Sequence, residues 1–318
     1  MHSATKCGLV VCMDRPFNEG RPFLGSRHRE MGLTETQLRA AIAHHTVRRV
    51  FHGVYVDSEV ADTRHFRILA LQLVVPRRAV LCGNSASWIY EVDTFPPGRQ
   101  FDFKPECVVP CDAGRSRSPH ISCRQALIAP EEITEMGGVR HTVPVRTVSD
   151  LLRMLRRPYA LSAADSMAHA GLVSKDEVRA YVEILKGYRG IMQARELAEL
   201  IEPKSESPGE GWQRLRLADA GLPRPEPQLI VADRFGREVA RLDNAYVEVK
   251  VGMEYDGKEF HTLDEDRIDN ADRRWVLTDV LGWRMINAGK ADILGRDPAF
   301  ELQVGEWLGI VPSLPRNW

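Results

Sequence analysis

Residues 229–257, LIVADRFGREVARLDNAYVEVKVGMEYDG, alternate apolar and polar side chains through strand-length runs broken by short turn-forming stretches. Alternation of period two sends successive side chains to opposite faces, so the segment reads as successive β-hairpins. No other stretch constrains the fold as much, because helical patterns stand on both sides of it. A helix is expected at about 208–220, and the loop GLPRPEPQ (221–228) forbids its continuation. DRRWVLTDVLGW (272–283) reads as a helix closed by Gly282, RMINAG (284–289) as a strand, and a final helix covers about 297–309. The order of this region is α-β-β-β-α-β-α.

The strand-like VKVGM leads into EYDGKEFH (254–261), so Glu254, Asp256 and His261 sit together where a strand ends. Asp243 lies in the preceding strand-like run, EVARLDNAYV (238–247). Two acidic strand ends joined by a short hairpin and followed by a histidine are what a metal-dependent phosphodiesterase needs. A hard cation such as Mg²⁺ takes carboxylate oxygens, activates water and stabilises charge on a phosphate. Plainer readings stand beside this one. Asp256-Gly257 is also a good hairpin turn, and His261 alone reads as structural or exposed. Asp264, Glu265, Asp266, Asp269 and Asp272 read as a solvated face, and Trp275 and Trp283 as core. Glu248-Val249-Lys250 spells a (D/E)-x-K pattern, but too soon after Asp243 for both to converge on one metal.

At 318 residues the chain has room for two or three domains. A net charge of −1 gives no global attraction to nucleic acid. Residues 21–56 differ, with six arginines against two glutamates, a phosphate-facing balance. Within them Thr34 is a good N-cap, and the helix ETQLRAAIAHH (35–45) places Leu38, Ala41 and Ile42 on one face. RRVFHGVYV (48–56) follows as an alternating hairpin with Gly53 for its turn. A helix followed by a basic wing suits DNA docking. Arg39, Arg48 and Arg49 are then the phosphate contacts and Gln37 the base reader; small α/β modules without DNA partners share the pattern.

The cysteines are irregularly spaced and do not resemble a disulfide framework, so a reduced cytoplasm is the expected setting. Cys107, Cys111, His120 and Cys123 match no usual zinc-ligand spacing. No apolar run approaches the ~20 residues of a membrane span. Residues 1–21 lack a pattern and read as a disordered terminus. The winged helix-turn-helix is assigned to 22–60 and a middle α/β region to 61–203. The latter starts with a helix near 62–74 and ends in helices, among them the amphipathic RTVSDLLRML (146–155). KSESPGE (204–210) is a polar break that sets the start of the last domain, 204–318.

The last region resembles the very-short-patch-repair-like branch of the restriction-endonuclease fold, in particular DUF559-type domains. SESPGE with Glu210, the strand aspartate Asp243, EYDGKEFH, and an acidic-then-basic helix ending in GW before RMINA carry the likeness. GLTETQLRAAI, RRVFHGVYV, NSASWIYEVDT and VPVRTVSDLLR resemble actinobacterial proteins that place an AbiEi-like antitoxin winged helix ahead of such a domain. The resemblance implies an α+β multidomain protein that binds DNA and hydrolyses its phosphodiester bonds with Mg²⁺ or Mn²⁺. Asp243 and Glu254 would hold the metal, Glu210 and Asp256 would assist, and Lys258 or His261 would serve the water or the leaving group. Asp256 stands where the general motif has lysine, a departure usual in this branch. The resemblance also implies the alternative of a non-catalytic DNA-binding regulator or antitoxin that uses the nuclease fold as a scaffold. Its partners would be DNA and either a cognate toxin or a second copy of the chain.

Overall fold

The breakers and alternations of the sequence are built into two compact units in the computed structural model, which describes residues 17–98, 102–111, 118–257, 273–315 and 318. One unit comprises the chain up to Glu91 together with Pro96–Thr142, and the other Val92–Phe95 together with Val143–Trp318. The division at 142/143 falls inside the segment 61–203 taken above as one region, and both sides of the 203/204 break lie in the second unit. Among the described residues, no helix is long and apolar enough to cross a membrane. Residues 1–16 lie outside the description, while Phe17–Gly20 form a short 3-10 turn.

In the first unit, β1 (Phe23–Leu24), β2 (Val47–Phe51) and β3 (Val54–Asp57) form an antiparallel sheet of order β1-β3-β2. Helix α1 (Glu35–Ala43) packs on it. The Thr34 side chain accepts from the backbone N–H of Gln37, and the Gln37 side chain accepts in return from the backbone N–H of Thr34. This capping box fixes the start of α1. Leu38 is buried against Phe23 and Val47, with Ala41 and Ile42 beside it, as the helical spacing predicts. The β2–β3 turn carries Gly53 at φ 80°, a left-handed conformation.

The same unit holds a five-stranded mixed sheet of order β6-β5-β4-β8-β7. Its strands are β4 (Val80–Leu81), β5 (Glu106–Val109), β6 (Ser122–Gln125), β7 (Ile133–Met136) and β8 (Val139–Thr142), with helices α2 (Arg64–Gln72) and α3 (Gly83–Ile89) between β3 and β5. Cys107 and Cys123 are register partners on β5 and β6, and Cys111 is exposed. Among the described residues no group of His, Cys, Asp and Glu stands together in a metal-holding arrangement.

The second unit opens with four helices, α4 (Pro144–Met154), α5 (Arg157–His169), α6 (Lys175–Ile184) and α7 (Ile191–Ala198). Then come α8 (Pro208–Asp219), β9 (Glu226–Ala232), β10 (Glu238–Tyr246) and β11 (Val251–Asp256). A helical segment over 273–280 leads to β12 (Arg284–Gly289) and the helices Lys290–Leu294 and Ala299–Leu308. The sheet order is β12-β11-β10-β9. The β9–β10 and β10–β11 pairs are antiparallel and β11–β12 is parallel. A parallel neighbour requires a crossover, which explains why helical sequence separates β11 from β12. The Glu248-Val249-Lys250 pattern lies in the turn between β10 and β11.

Helix α8 is the organiser of this unit. Ser207 caps it and Pro208 occupies its first turn. Trp212 Nε1 donates to Ser162 Oγ at 3.1 Å, and Arg214 pairs with buried Asp165 at 2.5 Å, which fastens α8 to α5. Arg216, fully buried, pairs with Glu301 and donates to the carbonyls of Asp292, Ile293, Gly295 and Asp297. Those carbonyls lie in the last turn of Lys290–Leu294, where a helix has no internal donors left, and in the connection that follows it. One apolar cluster joins Trp212 and Leu217 to Val251, Met253 and Phe300. A second joins Leu242 to Leu277 and Trp283. Trp283 is core as its sequence context predicts, but Trp275 is 59% exposed. The helical segment turns its buried face inward through Leu277, and Trp275, two residues earlier, lies off that face.

Candidate functional site

The carboxylates come together through strand register. The pairs Tyr246↔Val251, Ala245↔Gly252 and Asn244↔Met253, carried one residue further, set Asp243 directly opposite Glu254. Residues opposite one another in an antiparallel pair project to the same face. The Tyr255 N–H donates to Asp243 Oδ2 at 2.8 Å. The Asp243 carboxyl is pushed up to about 6, first by burial and then by the negative charges of Glu210 and Glu254; the Tyr255 N–H and Arg241 oppose the rise. Glu210 and Glu254 therefore both act on Asp243, which lies in a partly dehydrated place.

Glu210 enters from the first turn of α8 and is buried. Its Oε2 accepts from the Glu206 N–H at 3.0 Å and from Gln228 Nε2 at 2.8 Å. Gln228 has φ 53°, a strained value for a residue with a side chain. The register Leu242↔Leu229 and Asn244↔Pro227 continues on either side of it, so Gln228 stands opposite Asp243 as a local kink that aims its amide at Glu210. Arg241 pairs with both oxygens of Glu206, at 2.8 and 2.7 Å, and so steadies the loop that supplies the Glu206 N–H. Glu254 accepts a hydrogen bond from Arg273, and its carbonyl accepts from Gln213 Nε2 at 3.0 Å.

Of the residues proposed from sequence, Glu210, Asp243 and Glu254 are brought together, and Asp256 lies exposed at the end of β11. Lys258 and His261 lie outside the described residues. Gln228, Arg273 and the Tyr255 backbone were not singled out by the sequence. Gln228 ends a proline-rich loop and Arg273 begins a helix of mixed charge, neither of which is a signal for an acidic site. Asp243 and Glu254 supply hard oxygen donors, with the charge of Glu254 answered by Arg273. Carboxylate oxygens are the donor type that Mg²⁺ or Mn²⁺ takes, but among the described residues the acidic groups do not close into a metal-holding cluster.

The helix–hairpin of the first unit places its proposed DNA contacts differently from one another. Arg39 is exposed and pairs with Glu35 at 2.5 Å. Arg48 donates to the Val60 carbonyl at 2.8 Å and lies over the Phe66 ring. Arg49 pairs with Asp102 at 2.7 Å and lies over Tyr55. Gln37 closes the capping box through its Oε1. Each of the four has a partner within its own unit. Arg21 and Arg29, on the same module, are exposed.

Residues 79–200 match the model of the AbiEi antitoxin C-terminal domain. The chain is also similar to two Mycobacterium tuberculosis proteins, from strains CDC 1551 and H37Rv, both described as uncharacterized. Each is 28% identical over 254 residues, spanning 80% of this chain and 89% of the relative.

Proposed function

We propose that this chain is a DNA-binding regulator of the toxin–antitoxin type, acting in an abortive-infection setting, with a cognate toxin as its protein partner. The match of residues 79–200 to an antitoxin domain carries this reading. The capped helix α1 and its basic hairpin, read as a winged helix-turn-helix, support a DNA-facing role for the N-terminal module. The test is co-expression with the product of the neighbouring gene, together with gel-shift of the chain on its own upstream DNA. Relief of the neighbour's toxicity and retention of the DNA are expected. Toxicity unchanged by the chain, with no DNA retained, rejects the reading.

A second reading is favoured by the opposed carboxylates, namely Mg²⁺- or Mn²⁺-dependent hydrolysis of DNA by a restriction-endonuclease-like domain. Its support is the α-β-β-β-α-β-α order with parallel β11 and β12, and the convergence of Glu210 and Glu254 on Asp243. Asp243 and Glu254 would hold the cation, which supplies activation of water and stabilisation of charge on the phosphate. Glu210, held by Gln228 and the Glu206 N–H, maintains the negative field that draws a cation in. Asp256 assists from the strand end. Lys258 or His261 would exchange a proton with the water or the leaving oxygen. Incubation with supercoiled, nicked and mismatched DNA in Mg²⁺ or Mn²⁺, beside an Asp243→Ala variant, decides it. Cleavage by the wild type alone is expected; no cleavage of any DNA form by either protein leaves the fold as a scaffold.

A further inference from the structure

The β9–β10 turn is folded by backbone groups and one aspartate. Gly236 N donates to the Asp233 carbonyl at 3.0 Å, and Asp233 N to the Arg237 carbonyl at 2.9 Å. The Asp233 carboxylate accepts from the N–H groups of Phe235 at 2.8 Å and Arg237 at 3.0 Å, and from Arg237 Nε at 2.8 Å. Gly236, at φ 79°, supplies the left-handed step. In this scheme Phe235 contributes only its backbone N–H. Any residue with that N–H would fold the turn, yet a phenyl ring stands there 68% exposed. The Arg234 guanidinium lies 4.7 Å and that of Arg237 5.4 Å from the ring centroid. The tip therefore presents an exposed aromatic ring beside Arg234 and the Asp233-paired Arg237, on a backbone that is already fixed.

We propose that Arg234 and Phe235 form a nucleic-acid contact, in which the Phe235 ring stacks on a base or wedges a base step while the Arg234 guanidinium meets a flanking phosphate and Arg237, tied to Asp233, braces the ring. A ring with adjacent arginines is the combination that binds nucleic acid through π-faces and backbone charge together. A lone phenyl ring offers too little apolar surface to hold a membrane interface, where a whole amphipathic face is used. The Asp233 charge is neutralised inside the turn, and exposed Glu238 follows it, so stacking rather than bulk charge supplies the affinity. Along the strand Arg237, where the tip joins β10, stands six residues before Asp243, on the order of 20 Å at the rise of a strand. That spacing corresponds to roughly six base pairs of duplex. DNA lying along β10 would therefore touch the tip and the carboxylate cluster at once. This inference rests on the DNA-binding reading above.

The test uses the full chain and a fluorescein-labelled 30-base-pair duplex carrying 2-aminopurine, read by anisotropy and by 2-aminopurine emission across a salt series. Phe235→Ala should weaken binding by between about five- and a hundred-fold, the range for loss of one stacked base, with its melting temperature unchanged. Phe235→Trp should restore binding and the 2-aminopurine signal. Arg234→Gln should flatten the log–log salt dependence by about one unit. Equal affinities for wild type and Phe235→Ala overturn the proposal and leave the DNA reading standing. A wild type that binds no duplex overturns both. Unchanged DNA affinity, with loss of binding to phosphatidylserine vesicles in Phe235→Ala, also overturns it and moves the tip to a membrane.

Discussion

A single carboxyl group makes the carboxylate cluster measurable. The Asp243 carboxyl stands at about 6 in the folded chain against an ordinary value of 3.8. Between those values the folded protein holds a proton that the unfolded chain has released. The stability contributed by this group is therefore full below pH 4 and is lost as pH rises through about 6. Its limit is about 3 kcal/mol, at 1.36 kcal/mol per unit. Melting temperatures of wild type and Asp243→Asn in metal-free buffer should diverge in favour of the variant between pH 4 and pH 7. Parallel curves would contradict burial and carboxylate repulsion as the cause of the raised pKa. Arg273, which answers the charge of Glu254, gives a second expectation. Arg273→Gln should lower the melting temperature at pH 8 in EDTA and enlarge the gain on adding Mg²⁺, because a cation that binds only the folded state stabilises it by mass action. A gain no larger than that of the wild type would mean that Arg273 and the cation do not share the site.

The element that sets the cluster in place is α8, and its glycines allow close approach of neighbouring side chains. A Cβ on Gly209 would fall 2.2–2.3 Å from the Tyr255 ring. Tyr255 sits between Glu254 and Asp256 and gives its N–H to Asp243. Gly209→Ala must push the ring and with it the end of β11, at a cost of about 1–3 kcal/mol typical of overpacking. Urea unfolding should show this loss, while Gly257→Ala, whose Cβ meets the same ring at an ordinary 3.9 Å, should stay within about 0.5 kcal/mol. The same dependence on a local device holds at α1. Thr34→Ala removes one half of the capping box and should cost about 1 kcal/mol.

At the scale of the whole molecule, the antitoxin-like stretch 79–200 is divided between the two units, with 79–142 in the first and 143–200 in the second. In the second unit α5, which lies within that stretch, is fastened to α8, which lies outside it. The matched family segment and the compact units are therefore not the same division of the chain. The arginines proposed to meet DNA also differ in their surroundings. Arg21 and Arg29 are exposed, whereas Arg48 and Arg49 at the strands are engaged at Val60 and Asp102. Neutralising Arg21 and Arg29 together should flatten the salt dependence of DNA binding by about two units. Arg48→Gln should mainly lower stability, because it removes a hydrogen bond and a cation–π contact at Phe66. The opposite pattern in a salt titration and a melting curve would show that the phosphates meet the strands after all.

Periodicity and breakers determined the local order of this protein. Alternation over 229–257, the prolines of 221–228 and Gly282 account for α-β-β-β-α-β-α, and Thr34 and Gly53 account for the bounds of α1 and its hairpin. These signals are local because they arise from one residue's φ/ψ preferences or from spacing within one element. Tertiary structure alone decided register, pairing and exposure. That Asp243 faces Glu254 depends on how the turn after Tyr246 closes, with Lys250 at φ 51°. A slip of one residue would have sent the two carboxylates to opposite faces. That Trp283 is core while Trp275 is exposed depends on which side of the helical segment meets the sheet. That Gln228 and Arg273 reach Glu210 and Glu254 depends on contacts spanning 18 and 19 positions of chain. Linear spacing carries no record of such contacts, because the partner is chosen by the packing of whole elements and not by the residue's neighbours.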